Sequence, residues 1–150
     1  ARRIYIATMQ AFDEESHRRI RRHRRMRAGK GFETVERYTA LDELVLPKGS
    51  VVLLECMSNL VANEMFREDG FHPEVSEKII GGVKHLLSQA EHVVIVTNEI
   101  FSDGILYEGE SEKYKEQLGQ INCNLAEMAD DVVEVVYGIP VWHKGGGVKA

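Results

Sequence analysis

Short apolar segments alternate with helical patterns along this chain, and this alternation is the strongest constraint on its fold. Val51-Val52-Leu53-Leu54 and Val93-Val94-Ile95-Val96 are continuously apolar, which is typical of parallel strands buried on both faces. Longer segments with helical periodicity lie between the strands. The alternation therefore predicts an α/β fold, with a mostly parallel sheet flanked by helices on both faces.

The residue patterns predict five strands and four helices in one domain over residues 1–150. The strands are expected at Ile4–Ala7, Thr34–Tyr38, Val51–Leu54, Val93–Thr97 and Val132–Tyr137. The helices are expected at about Asp13–Met26, Ser58–Phe66, Pro73–Gln89 and Ser111–Ala129. Pro73 suits a first helical turn. The Gly81-Gly82 pair weakens the third helix, because each glycine costs about 1 kcal/mol relative to alanine.

Composition narrows the classes of protein to which the chain can belong. No apolar run approaches the ~18 residues of a membrane span, so no transmembrane helix is expected. The two cysteines, Cys56 and Cys123, lack the spacing of a metal site. With no secretion signal at the beginning of the sequence, they indicate reduced thiols and a cytoplasmic protein.

The charge of the chain is concentrated in one segment of helical length. Residues 18–27, Arg-Arg-Ile-Arg-Arg-His-Arg-Arg-Met-Arg, contain seven of the 19 Lys+Arg and no acidic residue. The whole chain has a formal net charge of −5, so the remainder sums to −12. An acidic protein with one strongly basic helix is expected to bind an anion there: a nucleoside triphosphate, a nucleic acid or an acidic partner.

His23 lies in the middle of this basic segment. Helical periodicity places Phe12, Ile20, His23 and Met26 on the side that faces the body of the protein, flanked by Arg19 and Arg27. Nearby arginines disfavour the imidazolium, and a neutral imidazole can attack phosphorus. Two other interpretations are open: a solvated basic helix with one half-buried histidine, and a helix that binds nucleic acid. The second is disfavoured because the chain is acidic and no aromatic residue interrupts the run.

Polar residues follow several of the predicted strands. Glu55 comes directly after Val51–Leu54, and Glu99 follows Thr97-Asn98. Ligands bind at the carboxyl ends of strands in open α/β sheets, and phosphoryl-transfer enzymes place a magnesium-directing carboxylate at such a position. Each carboxylate could instead cap the next helix. Together with the basic segment they favour a nucleotide site.

These residues resemble the bifunctional adenosylcobinamide kinase / adenosylcobinamide-phosphate guanylyltransferases of cobalamin biosynthesis. The resemblance covers most of the chain, and it rests on the order and spacing of several short segments. They are Tyr5-Ile6-Ala7-Thr8, Asp13-Glu14-Glu15 leading to His23, Leu53-Leu54-Glu55-Cys56 with Asn63, Val94 to Glu99 followed by Gly104-Ile105, and Asn122 before Ala126, Ala129 and Asp130.

The resemblance implies a P-loop NTPase-like fold and a specific chemistry. A histidine of the family takes GMP from GTP as a covalent phosphoramidate and passes it to adenosylcobinamide phosphate, and His23 falls at that position. The family also phosphorylates adenosylcobinamide with ATP or GTP, and its members tend to form trimers. The implied nucleotide contacts are Ala7, Thr8, Met9, Arg24, Arg25, Met26, Arg27, Glu36 and Glu55, with Glu55 also a candidate ligand for Mg²⁺.

One element of the family pattern is missing from this sequence. Family members begin with a strand, a G-x-x-x-x-G-K-[ST] phosphate loop and a helix, and no such motif occurs here. We therefore expect the sequence to be N-terminally incomplete, with unpaired strand edges and an apolar groove inside the sheet. We also expect kinase activity to fail without the loop. The alternative to an active transferase is a silent remnant that binds nucleotide or a partner.

Overall fold

A four-stranded parallel sheet forms the centre of the molecule in the computed structural model, which describes residues 2–10, 14–98 and 108–146. The elements are β1 Arg3–Ala7, α1 Glu14–Ala28, β2 Phe32–Glu36, a 3₁₀ turn Leu41–Glu43, β3 Ser50–Glu55, α2 Met57–Met65, β4 Phe66–Arg67, β5 Gly70–Phe71, α3 Ser76–Gln89, β6 Ala90–Val96, α4 Glu108–Met128, β7 Val132–Val136 and β8 Ile139–Lys144. The strand order is β2-β1-β3-β6, and every neighbouring pair is parallel.

The hydrophobic core lies on one face of this sheet. Alternate residues of the two central strands, Ile4 and Ile6 with Val52 and Leu54, are 0–2% exposed. Helices α2, α3 and α4 supply the facing side chains of the same core cluster. Period-two alternation directs these strand residues to a single face, so β1 and β3 bury their helix-bearing side completely, whereas Val93 and Ile95 of β6 are half-buried.

Helix α1 and the opposite face of the sheet form a thinner layer. Tyr5, Leu53 and Val94 lie in one row across β1, β3 and β6. Tyr5 is covered by the Arg27 side chain of α1, whereas Val94 is 55% exposed. The expectation that Val93–Val96 is buried on both faces is therefore wrong, because no helix covers this row at the β6 edge within the described residues.

Most predicted elements are present with shifted ends. The second strand begins two residues before the prediction, and β6 begins at Ala90. Helix α3 begins at Ser76, so Pro73 precedes it instead of opening it. Asp13, the predicted start of the first helix, lies outside the described residues, as do Phe12, Glu99, Gly104 and Ile105.

The last predicted strand is part of a hairpin. Strand β7 pairs with β8 in an antiparallel two-stranded sheet separate from the parallel one. Lys144 Nζ fixes this hairpin to the end of α4 through the carbonyls of Ala126 and Glu127. The residues on one hairpin face are apolar and exposed, among them Val135 and Trp142. Sequence patterns missed β8 because Ile139–Lys144 contains Pro140, His143 and Lys144.

The expected gap inside the sheet is not observed. Strand β3 pairs directly with β6 from Ser50↔Ala90 to Glu55↔Val96, with one irregularity after Ser50. The backbone groups between these two strands are therefore paired, and the sheet is continuous across them. Apolar exposure is found instead at Val94 and along the β7–β8 hairpin.

Candidate active site

A cavity of about 210 Å³ opens at the carboxyl end of the parallel sheet, between strand ends and helix α1. Its lining comes from the ends of the parallel strands, the inner side of α1 and the start of α2. The lining residues are Tyr5, Ala7, Met9, Arg19, Ile20, His23, Arg27, Glu36, Glu55, Cys56, Asn59 and Asn98. The structure thus joins the basic helix to the strand-end carboxylates.

Two buried hydroxyls hold the strand ends beneath this cavity. Thr8 Oγ1 donates to the Cys56 carbonyl at 2.9 Å and accepts from the Cys56 N–H at 2.9 Å. Ser58 makes the equivalent pair of bonds to the Asn98 carbonyl and N–H. Asn63 Nδ2 also donates to the Thr8 carbonyl at 2.7 Å. Parallel strand ends carry backbone groups without ladder partners, and these side chains satisfy them.

Helix α1 lines the cavity through Arg19, Ile20, His23 and Arg27. Ser16, Ile20 and Arg27 are half-buried, and no residue of the helix is fully buried. The prediction for Met26 is wrong: it is 59% exposed, because a spacing of four residues after His23 directs Arg27 inward instead. His23 itself is exposed and lines the cavity.

Arg27 stacks on the ring of Tyr5. The guanidinium carbon lies 3.6 Å from the ring centroid, a cation–π contact. Burial, with a smaller contribution from the nearby Glu55 carboxylate, raises the pKa of Tyr5 to about 12, although Arg27 opposes the shift. Tyr5 is therefore a neutral phenol at physiological pH, placed between a cation and a carboxylate.

Arg24 and Glu36 form an ion pair between α1 and β2, and Tyr38 Oη donates to the same carboxylate at 3.2 Å. A second cavity of about 470 Å³ lies beyond this pair, lined by Arg24, Ala28, Phe32, Thr34 and Glu36. Glu36 belongs to both cavities. The ion pair consequently separates them and holds the C-terminal half of α1 against the edge strand.

The residues that the sequence and the resemblance implicated are only partly brought together. Ala7, Met9, His23, Arg27, Glu36 and Glu55 line the first cavity. Thr8 is 0% exposed, with both its hydroxyl and its backbone in internal hydrogen bonds. Arg24 lines the second cavity, while Arg25 and Met26 line neither.

Several lining residues were missed by sequence reasoning. Tyr5 precedes Ala7 by two positions in β1, so strand periodicity places both on the cavity face. Asn59 lies in the first turn of α2, directly after the Glu55-Cys56 strand end. Both could have been inferred from these spacings. Arg19 was expected only to flank the histidine, and the structure places it in the lining.

The two cysteines lie in different environments, Cys56 buried and Cys123 exposed. Burial raises the pKa of the Cys56 thiol, and both Cys56 and Cys123 are free. Across residues 2–10, 14–98 and 108–146, no three His, Cys, Asp or Glu side chains are grouped so as to hold a metal ion. In the same part of the chain, no helix combines the length and apolar composition required to cross a bilayer.

Comparison with known proteins gives a consistent result over nearly the whole chain. The sequence model of the family described as cobinamide kinase / cobinamide phosphate guanyltransferase matches residues 1–142. The chain is 34% identical to the bifunctional adenosylcobalamin biosynthesis protein CobU of Escherichia coli strain K12 over 153 aligned positions. It is 33% identical to the protein of the same name from Salmonella typhimurium. Each alignment covers 92% of this chain and 83% of the relative.

The fold agrees with these sequence matches, since a mostly parallel sheet flanked by helices carries the matched segments in order. The family match extends through the strand ends and the basic helix that form the first cavity. The chain therefore belongs to the cobinamide kinase / cobinamide phosphate guanyltransferase family and has its P-loop NTPase-like fold.

Proposed function

We propose that this protein transfers GMP from GTP to adenosylcobinamide phosphate through a covalent intermediate on His23. The observation that carries the proposal is the position of His23 in one cavity with Arg19, Arg27 and Glu55. A neutral imidazole nitrogen attacks the α-phosphorus of GTP, and the bond to pyrophosphate breaks. A phosphate oxygen of adenosylcobinamide phosphate then attacks the same phosphorus, and the P–N bond breaks to regenerate the histidine.

The arginines support this chemistry through their free positive charge. Arg24 and Arg21 are paired with Glu36 and Glu14, whereas Arg19 and Arg27 have no carboxylate within ion-pair distance among the described residues. Unpaired cations beside a nucleophile can bind phosphate oxygens and stabilise charge that develops on them. We assign Arg27 and Arg19 to the triphosphate, and Ala7 and Met9 at the end of β1 to further nucleotide contacts. Arg24, Arg25 and Met26 lie on the same helix outside this cavity, and Thr8 holds the strand ends beneath it.

Glu55 fits the role of a magnesium ligand. Its carboxylate is exposed at the end of β3 and lines the cavity. Mg²⁺ commonly takes one or two protein carboxylates and completes its shell with phosphate oxygens and water, so the absence of a three-ligand cluster among the described residues is compatible with it. The ion would neutralise part of the polyphosphate charge. Glu36, held by Arg24, is placed to contact the nucleotide from the β2 side.

Covalent labelling tests the proposal. With α-labelled GTP and magnesium, the protein should retain label after denaturation, in an adduct that is acid-labile and alkali-stable as a phosphoramidate is. His23→Ala should abolish the label without loss of folding, because His23 is exposed. His17→Ala is the matched control, since His17 is also exposed on α1 but lines neither cavity. If the His23→Ala variant is labelled as strongly as the unmodified protein, His23 is not the nucleophile.

The alternative, nucleotide binding without turnover, gives a different result in the same experiment: GTP binds, but no adduct forms in the unmodified protein. Phosphorylation of adenosylcobinamide with ATP or GTP is a separate proposal, and a kinase assay on these 150 residues tests whether it requires a phosphate loop.

A homotrimer and a cytoplasmic location complete the proposal. The free cysteines accord with a reducing compartment. Light scattering, which gives the mass of the assembly in solution, tests the trimer.

A further inference from the structure

Arg27 is the one arginine of α1 with a buried nitrogen that has no hydrogen-bond partner among the described residues. Its side chain is half-buried and lines the first cavity. Leaving a buried polar group unpaired is costly, so an arginine in this state is expected to have another interaction in the working protein. A phosphate oxygen entering the cavity is an acceptor that would provide it.

The Tyr5 ring supports this arginine. It is 7% exposed and lies within β1, with β2 and β3 paired on either side. The ring is therefore attached to a strand paired on both sides and is almost excluded from solvent. With the guanidinium carbon only 3.6 Å from the ring centroid, the planar group is in contact with a rigid surface. A side chain that is normally free to adopt many rotamers is thereby restricted to one region of the cavity.

Glu55 is the competing partner for Arg27. Both side chains line the same cavity, and both interact electrostatically with Tyr5, yet they form no ion pair among the described residues. A direct pair would neutralise the cation and occupy the carboxylate. The stacked position on Tyr5 keeps the two charges apart, so each remains available to a different part of an anionic ligand.

We propose that Tyr5 is a positioning residue that holds the Arg27 guanidinium on its ring and away from Glu55, ready to contact a phosphate of the nucleotide. The inference rests on the proposed function for the identity of the ligand. The geometry of the pair does not depend on it. Tyr5 acts through Arg27 and makes no bond to the reacting phosphorus, and the ring, not the hydroxyl, is the part that matters.

A double-mutant cycle tests this role. Tyr5→Leu should weaken GTP binding by about three- to tenfold, the range of a cation–π contact and its orientation. Tyr5→Phe keeps the ring and should remain within about twofold of the unmodified protein. In an Arg27→Ala background, Tyr5→Leu should have no further effect, because the two residues act as one unit. Titration calorimetry measures all four affinities, and denaturant unfolding verifies that each variant is folded.

A spectroscopic measurement separates failure of this inference from failure of the proposed function. The Tyr5 ring should shift the Arg27 Hε NMR signal upfield in the unmodified protein and in Tyr5→Phe, but not in Tyr5→Leu, with no ligand present. If GTP does not label the protein but the Tyr5 ring still shifts the Arg27 Hε signal, the proposed guanylyl transfer is wrong and the positioning role of Tyr5 still stands. The positioning role is overturned if Tyr5→Leu lowers GTP affinity as much in the Arg27→Ala background as in the unmodified protein. It is also overturned if Tyr5→Phe lowers the affinity as much as Tyr5→Leu does.

If Tyr5→Leu does not fold, Arg27→Lys replaces it in the experiment. Lysine keeps the charge but lacks the planar group that stacks on the ring. GTP affinity should then fall by a similar three- to tenfold factor. Unchanged affinity would show that any cation at position 27 suffices, and the role assigned to Tyr5 would be wrong.

Discussion

Helices α1 and α2 follow two neighbouring strands of one sheet, yet they are built in opposite ways. Helix α2 buries six of its nine residues, Met57, Ser58, Leu60, Val61, Glu64 and Met65. Helix α1 has 15 residues and buries none. Its seven arginines would each require desolvation in a core, which is too costly without a paired charge. The first helix can therefore lie only on the surface.

This difference separates the residues that stabilise the molecule from those that bind. The apolar face of α2 is fully used by the core, since Met57, Leu60, Val61 and Met65 are each 0% exposed. Helix α1 is held against the sheet instead by the Arg24–Glu36 pair and the stacking of Arg27 on Tyr5. Substitutions in the two helices should consequently affect different measurements.

The largest expected contrast is in stability. Leu60→Ala in α2 should lower the free energy of unfolding by about 2–5 kcal/mol, because it leaves a cavity among buried side chains. Met26→Ala in α1 should change it by no more than about 0.5 kcal/mol, because Met26 is solvent-exposed. Urea denaturation followed by circular dichroism measures both. A loss of similar size in the two variants would mean that α1 is packed as α2 is.

The second contrast lies within α1 and concerns ligand affinity. Arg27→Ala should weaken GTP binding by about 1.5–3 kcal/mol, the value of a charge-assisted hydrogen bond. Arg25→Ala should cost less, since Arg25 lines neither cavity. Arg18→Ala is the control: it removes only a solvated charge, so the free energy of GTP binding should change by close to zero. Calorimetry with GTP gives the three values, and an equal small loss in all three would support a merely solvated basic face.

The smallest contrast tests helix packing at adjacent positions of α3. A Cβ at Gly82 would lie 2.6 Å from Leu41 Cβ, whereas nothing is within 4 Å of one at Gly81. Gly82→Ala should therefore destabilise by up to about 2 kcal/mol, since overpacking outweighs the gain in helix propensity. Gly81→Ala should stabilise by about 0.4–1 kcal/mol. Thermal unfolding of both variants decides this, and stabilisation by Gly82→Ala would contradict the close approach.

Local patterns predicted the strands and helices but not their environment. The apolar run in β6 looked identical to that in β3, yet within one row of the sheet Leu53 is half-buried and Val94 is 55% exposed. Burial of a strand depends on which elements cover it, and this is not encoded in its own residues. In the same way, Val132–Val136 was correctly predicted as a strand, but its antiparallel partner β8 was not.

The candidate site was predictable to the extent that strand ends and helix faces define it. The sequence predicted Glu55 at a strand end and His23 on the inner side of the basic helix, and the structure places both in the lining of the first cavity. The sequence did not distinguish Met26 from Arg27 on the inner side of α1, because a difference of 100° in a helix is within the uncertainty of its orientation. Thr8 was expected to contact the nucleotide, and only its hydrogen bonds revealed that it joins two strand ends.

The sequence by itself determined the α/β class, the surface position of the arginine-rich helix and the family. These follow from periodicity, charge and residue order, which are properties of neighbouring residues. Tertiary structure alone decided that β3 pairs directly with β6, that Gly82 packs against Leu41, and that Arg27 rests on Tyr5 without a carboxylate partner among the described residues. Each of these depends on residues distant in the chain, whose contact is settled by the packing of the whole sheet and its helices.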